Sequence, residues 1–189
     1  MKNVLIIGVL RSGKSTLARM LCKKYNLNYI PQDAMVDAFE EIFPKCGVCH
    51  DNKGKEPFAP FLFSYIKHLV KGRWDYGARS APDCRPFVIE GCHVGVASAC
   101  KSIDRTKWKI VALGYPSLTP DQALRGIREN DAAHEWTREV KDVELRGWLA
   151  DAIKESQRHR SECAKLKIEF IDTSFDRRKK FAAFVKKYK

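Results

Sequence analysis

Eight residues near the start of the chain, Gly8-Val9-Leu10-Arg11-Ser12-Gly13-Lys14-Ser15, restrict its fold more than any other stretch. They follow Val4-Leu5-Ile6-Ile7, a continuous apolar run of the kind that lies buried on both faces of a parallel sheet. They lead into Thr16-Leu17-Ala18-Arg19-Met20-Leu21-Cys22, which has helical composition and spacing. Strand, glycine loop and helix in that order are the setting of a phosphate-binding P-loop. Gly8 and Gly13 let the backbone curl so that successive N–H groups converge beside the positive end of the following helix. In such a loop Lys14 reaches the β- and γ-phosphates, and the Ser15 hydroxyl ligates Mg²⁺. The octet therefore predicts a site for ATP and Mg²⁺ formed by Gly8, Arg11, Ser12, Gly13, Lys14, Ser15 and Thr16.

The rest of the chain alternates strands and helices. Asn28-Tyr29-Ile30 reads as a second strand closed by Pro31, and Asp33 as the cap of a helix from Ala34 to about Phe43. Pro44 to Pro57 is turn-rich, and Phe58 to Lys71 has a helical apolar pattern. Gly72 to Pro86 reads as a loop carrying Trp74, Tyr76 and Arg79, side chains suited to meeting a substrate or a base. Phe87–Gly91 and Trp108–Gly114 are further strands, and Thr119 caps a helix to about Glu129. A long helix is expected from roughly Thr137 to Ala164, a fifth strand at Ile168–Asp172, and a basic amphipathic helix from Phe175. This alternation predicts an α/β protein with a parallel sheet covered on both faces. With 189 residues, no repeat and no low-complexity linker, a single domain over 1–189 is expected.

No apolar stretch reaches the roughly 18–20 residues of a membrane span, and the N-terminal run is too short for a signal peptide. The expected location is the cytoplasm, where the seven cysteines would stay reduced. A formal charge of +12 calls for an anionic partner, either a phosphorylated small molecule or a nucleic acid. Part of the excess sits in the tail that begins Arg177-Arg178-Lys179-Lys180.

Three further groups carry chemistry. Glu90 closes a buried strand, where an acid of a P-loop enzyme holds Mg²⁺ directly or through water. Asp33 lies just past the second strand; ligands of parallel sheets gather outside those carboxyl ends, so it is placed to orient an acceptor hydroxyl and take its proton. Arg125 and Arg128 are spaced to share a helix face, from which they would stabilise charge on a transferring phosphate, with Arg138 beyond them. Cys46-Gly47-Val48-Cys49-His50 has the spacing of a haem attachment, which needs an oxidising compartment. Zinc could use Cys46, Cys49 and His50, completed by Cys84 or by Cys92-His93. No second CxxC supports that grouping, so loop cysteines without a metal are the simpler reading. Phe58, Phe61, Leu62, Phe63 and Tyr65 read as core.

Gly8–Ser15, Asp33, Val88-Ile89-Glu90-Gly91 and the arginine-bearing helix together resemble the small P-loop kinases, a group that includes adenylate, shikimate, gluconate and nucleoside kinases. The resemblance implies a three-layer P-loop NTPase fold, its five-stranded parallel sheet in the order 2-3-1-4-5. It also implies a lid at about 115–140, an acceptor-site insertion at about 33–86, and an adenine beside Asp172–Arg177. The arginine-rich lid signature of adenylate kinases is missing, which argues against a nucleoside monophosphate acceptor. Phe39–Pro44 and Asp131–Arg138 resemble stretches of uncharacterised bacterial kinase-like proteins. The resulting expectation is phosphoryl transfer from ATP to a hydroxyl of a small molecule. The alternatives are a polynucleotide 5′-kinase, suggested by the charge, and a nucleotide-binding switch without catalysis.

Overall fold

Neighbouring residues of the first strand, Asn3–Gly8 (β1), point to opposite sides of a sheet: Val4 and Ile6 enter one apolar cluster, Leu5 and Ile7 another. Both sides are buried because β1 is central. A computed structural model describes residues 1–51, 55–71, 85–132 and 135–188. Within them β2 (Asn28–Pro31), β3 (Phe87–Gly91), β4 (Trp108–Gly114) and β5 (Glu169–Asp172) join β1 in one parallel sheet, ordered β2-β3-β1-β4-β5. This is the order that the resemblance implied. No helix among the described residues is long and apolar enough to cross a membrane.

Helices α1 (Lys14–Tyr25) and α7 (Arg177–Lys187) cover one face, where Leu17, Leu21, Phe181 and Phe184 pack on Val4, Ile6, Val88 and Val111. The opposite face is covered by residues of α2 (Gln32–Ile42), α3 (Lys55–Lys71), α4 (Val96–Ser102) and α6 (Asp142–Leu166). A third cluster joins α5 (Pro120–Asn130) to the first half of α6 through Leu124, Ile127, Leu145 and Leu149, and reaches Val9 of the glycine loop. Phe58 and Leu62 are fully buried, as core residues should be, while Phe61 lies at the rim between Phe39 and Tyr65.

The elements begin and end differently from expectation in four places. Helix α2 starts at Gln32 with Pro31 at its cap position, so Asp33 sits in the first turn rather than capping it. Helix α3 starts at Lys55, reaching back into the stretch expected to be all turn. Residues Trp136–Arg138 form a separate 3₁₀ turn, and α6 begins only at Asp142. Helix α4 was not anticipated. Thr119 does cap α5, in a reciprocal box in which its Oγ1 accepts from Gln122 N at 3.2 Å and Gln122 Oε1 accepts from Thr119 N at 2.8 Å. Trp74, Tyr76, Arg79 and Cys84 lie outside the described residues.

Candidate functional site

The loop after β1 is closed from within. Ser12 is fully buried, and its hydroxyl and amide both donate to the Val9 carbonyl, at 2.8 and 3.3 Å. Arg11 and Gly13 take left-handed backbone angles, φ 56° and 91°. A Cβ at Gly13 would stand 2.9 Å from the Phe181 ring, so neither the conformation nor the space admits a side chain. Among the described residues no side chain caps α1, so the first-turn amides of Lys14, Ser15 and Thr16 are available to an anion. Lys14 Nζ lies over the loop, donating to Val9 O at 3.0 Å.

Glu90 stands beside this loop because β3 pairs with β1 in a register that sets it opposite Ile6, with Pro31 of β2 on its other side. It is 3% exposed. A carboxylate that buried needs donors, and its Oε1 has two: Ser15 Oγ at 2.9 Å and the Tyr29 hydroxyl at 2.7 Å. Burial, and then the Glu90 carboxylate, push the Tyr29 phenol well above its ordinary pKa, so it remains a donor. A hydroxyl and a buried carboxylate in contact at the mouth of a phosphate loop are hard oxygen donors of the kind Mg²⁺ prefers. Ser15 and Glu90 therefore fit such an ion.

Across the mouth, Asp33 and His93 form an ion pair, Oδ1 to Nε2 at 3.0 Å. His93 follows β3 on a bend that Gln32 fastens to α2: Gln32 Oε1 accepts from the His93 amide at 3.2 Å. Gln32 packs so tightly that a Cβ at Gly91 would come within 2.4 Å of it. His93 is 1% exposed, whereas the Asp33 side chain is 58% exposed and opens to solvent. The hydrogen bond from His93 holds the Asp33 carboxyl below its ordinary value, aided by the charges of His93 and Lys14. For His93, burial alone would lower the pKa; the hydrogen bonds with Asp33 and Cys92 outweigh it and raise the ring to about 9. Sequence reasoning named Asp33 as a catalytic candidate and His93 only as a possible zinc ligand; it did not pair the two, although both lie just beyond a strand's carboxyl end.

The same framework occurs in solved structures. A shikimate kinase from Bacteroides thetaiotaomicron superposes with a TM-score of 0.56 over 98% of this chain and 94% of its own, at 16% identity. A gluconokinase from Sinorhizobium meliloti 1021 gives 0.55 over 98% and 94%, at 10% identity. A shikimate kinase from Aquifex aeolicus gives 0.53 over 97% and 93%, at 16% identity. The chain has the fold of the small P-loop kinases. No family model and no curated protein matches its sequence.

The segment after α5, where a lid was expected, is tied to the glycine loop. The Arg11 guanidinium pairs with Asp131 and, at 2.5 Å, with Glu135; Asp131 in turn accepts from Thr137 Oγ1 at 2.5 Å. Arg11, expected on a phosphate, is thus engaged by the carboxylates of Asp131 and Glu135. Arg128 does not share an open face with Arg125. Its guanidinium donates to the carbonyls of Thr137 and Val140, both at 2.6 Å, and to Asp142 Oδ1 at 2.7 and 2.9 Å. It braces the turn between α5 and α6, while Arg125 and Arg138 are exposed.

The zinc grouping considered around Cys46 and Cys49 does not assemble among the described residues. Cys49 Sγ donates to Asp51, and His50 Nε2 pairs with Asp37 at 2.7 Å. Groups able to hold a metal form elsewhere, at Asp33, Cys92 and His93 and at Asp37, Glu40 and His50.

Proposed function

We propose that this chain transfers the γ-phosphoryl group of ATP, as its Mg²⁺ complex, to a hydroxyl of a small-molecule acceptor. The observation that carries the proposal is that Lys14, the Ser15–Glu90 pair and the exposed Asp33 all lie at the carboxyl edge of the sheet, with Lys14 near enough for its charge to act on Asp33. The kinase structures that share the fold support it.

The first-turn amides of α1 and Lys14 would hold the triphosphate, and Ser15 and Glu90 would hold the cation. When bound, Mg²⁺ would neutralise charge on the β- and γ-phosphates. Asp33 accepts a hydrogen bond from the acceptor hydroxyl and aligns it with the γ-phosphorus. The new O–P bond forms as the bond to the β-phosphate oxygen breaks; the hydroxyl proton passes to Asp33, and ADP leaves. Because His93 keeps Asp33 a weak base, the proton moves late, which suits a loose transition state with little nucleophilic assistance. Exposed Arg125 and Arg138 are the lid cations available to the developing charge, and Arg128 keeps the lid turn in shape.

The deciding experiment is a screen of sugars, sugar acids, nucleosides, antibiotics and oligonucleotides for acceptor-dependent ADP release. Lys14→Ala is expected to abolish it, and Asp33→Asn to lower turnover more than ATP affinity. ATP binding with no acceptor-dependent turnover would favour a nucleotide switch. A polynucleotide acceptor is the second reading, favoured by the +12 charge; it requires single-strand affinity that falls steeply with salt.

A further inference from the structure

Cys92, His93 and Asp33 come together from two elements, the bend after β3 and the first turn of α2. Their ligand atoms all lie within 4.8 Å of one another. His93 Nε2 is 3.0 Å from Asp33 Oδ1 and 3.8 Å from Cys92 Sγ. Tetrahedral zinc bonds of about 2.0–2.3 Å to nitrogen, oxygen and sulfur set neighbouring donors roughly 3.3–3.6 Å apart. The two separations from His93 Nε2 bracket that range, and the Cys92–Asp33 separation lies within 4.8 Å. The other ring nitrogen, Nδ1, is buried with no hydrogen-bond partner among the described residues, so the ring acts through Nε2.

We propose that Cys92 Sγ, His93 Nε2 and the Asp33 carboxylate form a binding site for a thiophilic divalent cation, zinc in the first instance, distinct from the Mg²⁺ position at Ser15 and Glu90. A thiolate, an imidazole and a carboxylate are zinc donors, whereas Mg²⁺ takes oxygen almost exclusively. Three protein ligands leave a fourth position for water or substrate, the pattern of an open zinc site rather than a closed structural one. That position faces outward, because Asp33 is the exposed member of the set. On binding, the Cys92 thiol proton and the proton on His93 Nε2 pass to solvent, and Asp33 leaves the histidine for the metal.

The inference extends beyond the phosphoryl-transfer reading and does not depend on it. Should both hold, zinc occupies the carboxylate that orients the acceptor and inhibits turnover without competing with ATP.

The test uses the full-length, reduced, metal-stripped protein with Co²⁺ as the spectroscopic probe and no nucleotide or acceptor present. A stoichiometric sulfur-to-cobalt charge-transfer band is expected in the near ultraviolet. Zn²⁺ should displace it, and a large excess of Mg²⁺ should not. Cys92→Ser should abolish the band with the far-ultraviolet circular dichroism unchanged, and Asp33→Asn should keep the band while weakening Co²⁺ binding about tenfold or more. Cys46→Ser/Cys49→Ser should retain it fully. No band in the native protein, a band that survives Cys92→Ser, or displacement by Mg²⁺ would each overturn the proposal. Because no catalysis is measured, these outcomes are separate from success or failure of the kinase assay.

Discussion

Ser15 Oγ donates to Glu90 Oε1 at 2.9 Å, so the last residue of the glycine loop and the acid of β3 form one hydrogen-bonded unit although they lie far apart in the chain. If that unit holds Mg²⁺, Glu90→Gln should lower metal-dependent turnover by about 10²-fold. Nucleotide binding measured calorimetrically without Mg²⁺ should change little. A variant with an unaltered Mg²⁺ requirement would remove Glu90 from the metal site.

The two acids on Arg11, Asp131 and Glu135, should contribute unequally. The Asp131 side chain is 1% exposed and also receives the buried Thr137 hydroxyl, whereas Glu135 is 30% exposed. Asp131→Ala leaves two donors unmet and is expected to lower unfolding stability by about 2–4 kcal/mol. Glu135→Ala, at the rim, should cost less than about 1 kcal/mol. Urea midpoints for the two variants check the contrast, and equal losses would contradict it.

Phe181 is 1% exposed and lies against Gly13. Phe181→Ala is expected to cost about 3–5 kcal/mol, and also to weaken ATP binding, because the loop loses the wall behind it. Phe181→Leu should recover most of the stability. A titration calorimetry series would show whether affinity follows.

The Asp33–His93 pair makes stability depend on pH. His93 is raised from 6.5 to about 9, so its contribution is complete below about pH 6.5 and fades as the pH rises through about 9. Asp33 is lowered from 3.8, so its contribution is present above that value and is lost as the pH falls through its depressed one. The difference in Tm between wild type and His93→Gln, measured in chelator, should be widest between about pH 4 and 6.5 and shrink toward pH 9. A gap that does not vary with pH would mean the pair carries no net charge interaction.

All five strands were readable because each is a short apolar run bounded by turn residues or follows one, and the glycine octet marked the loop without help from distant contacts. Helix α4 was not, since Val96–Ser102 is one short turn after another with no side-chain cap at Gly95. The delayed start of α6 has a tertiary cause: Arg128 takes the carbonyls of Thr137 and Val140, and Asp131 takes the Thr137 hydroxyl, so helical spacing there is overridden. The same contacts explain why two arginines three residues apart have different surroundings. The pairing of His93 with Asp33 escaped notice because the two are 60 positions apart and only the β2–β3 pairing brings them together.

The ring of Phe181 behind Gly13 also bears on how the protein is made. The glycine loop is synthesised well before the aromatic wall that shapes it, which belongs to α7. A nascent chain can lay down β1, α1 and β3 and still lack a finished phosphate cradle, so nucleotide cannot assist the folding of the early segments. The loop takes its finished shape only once α7 has been made and packed against it.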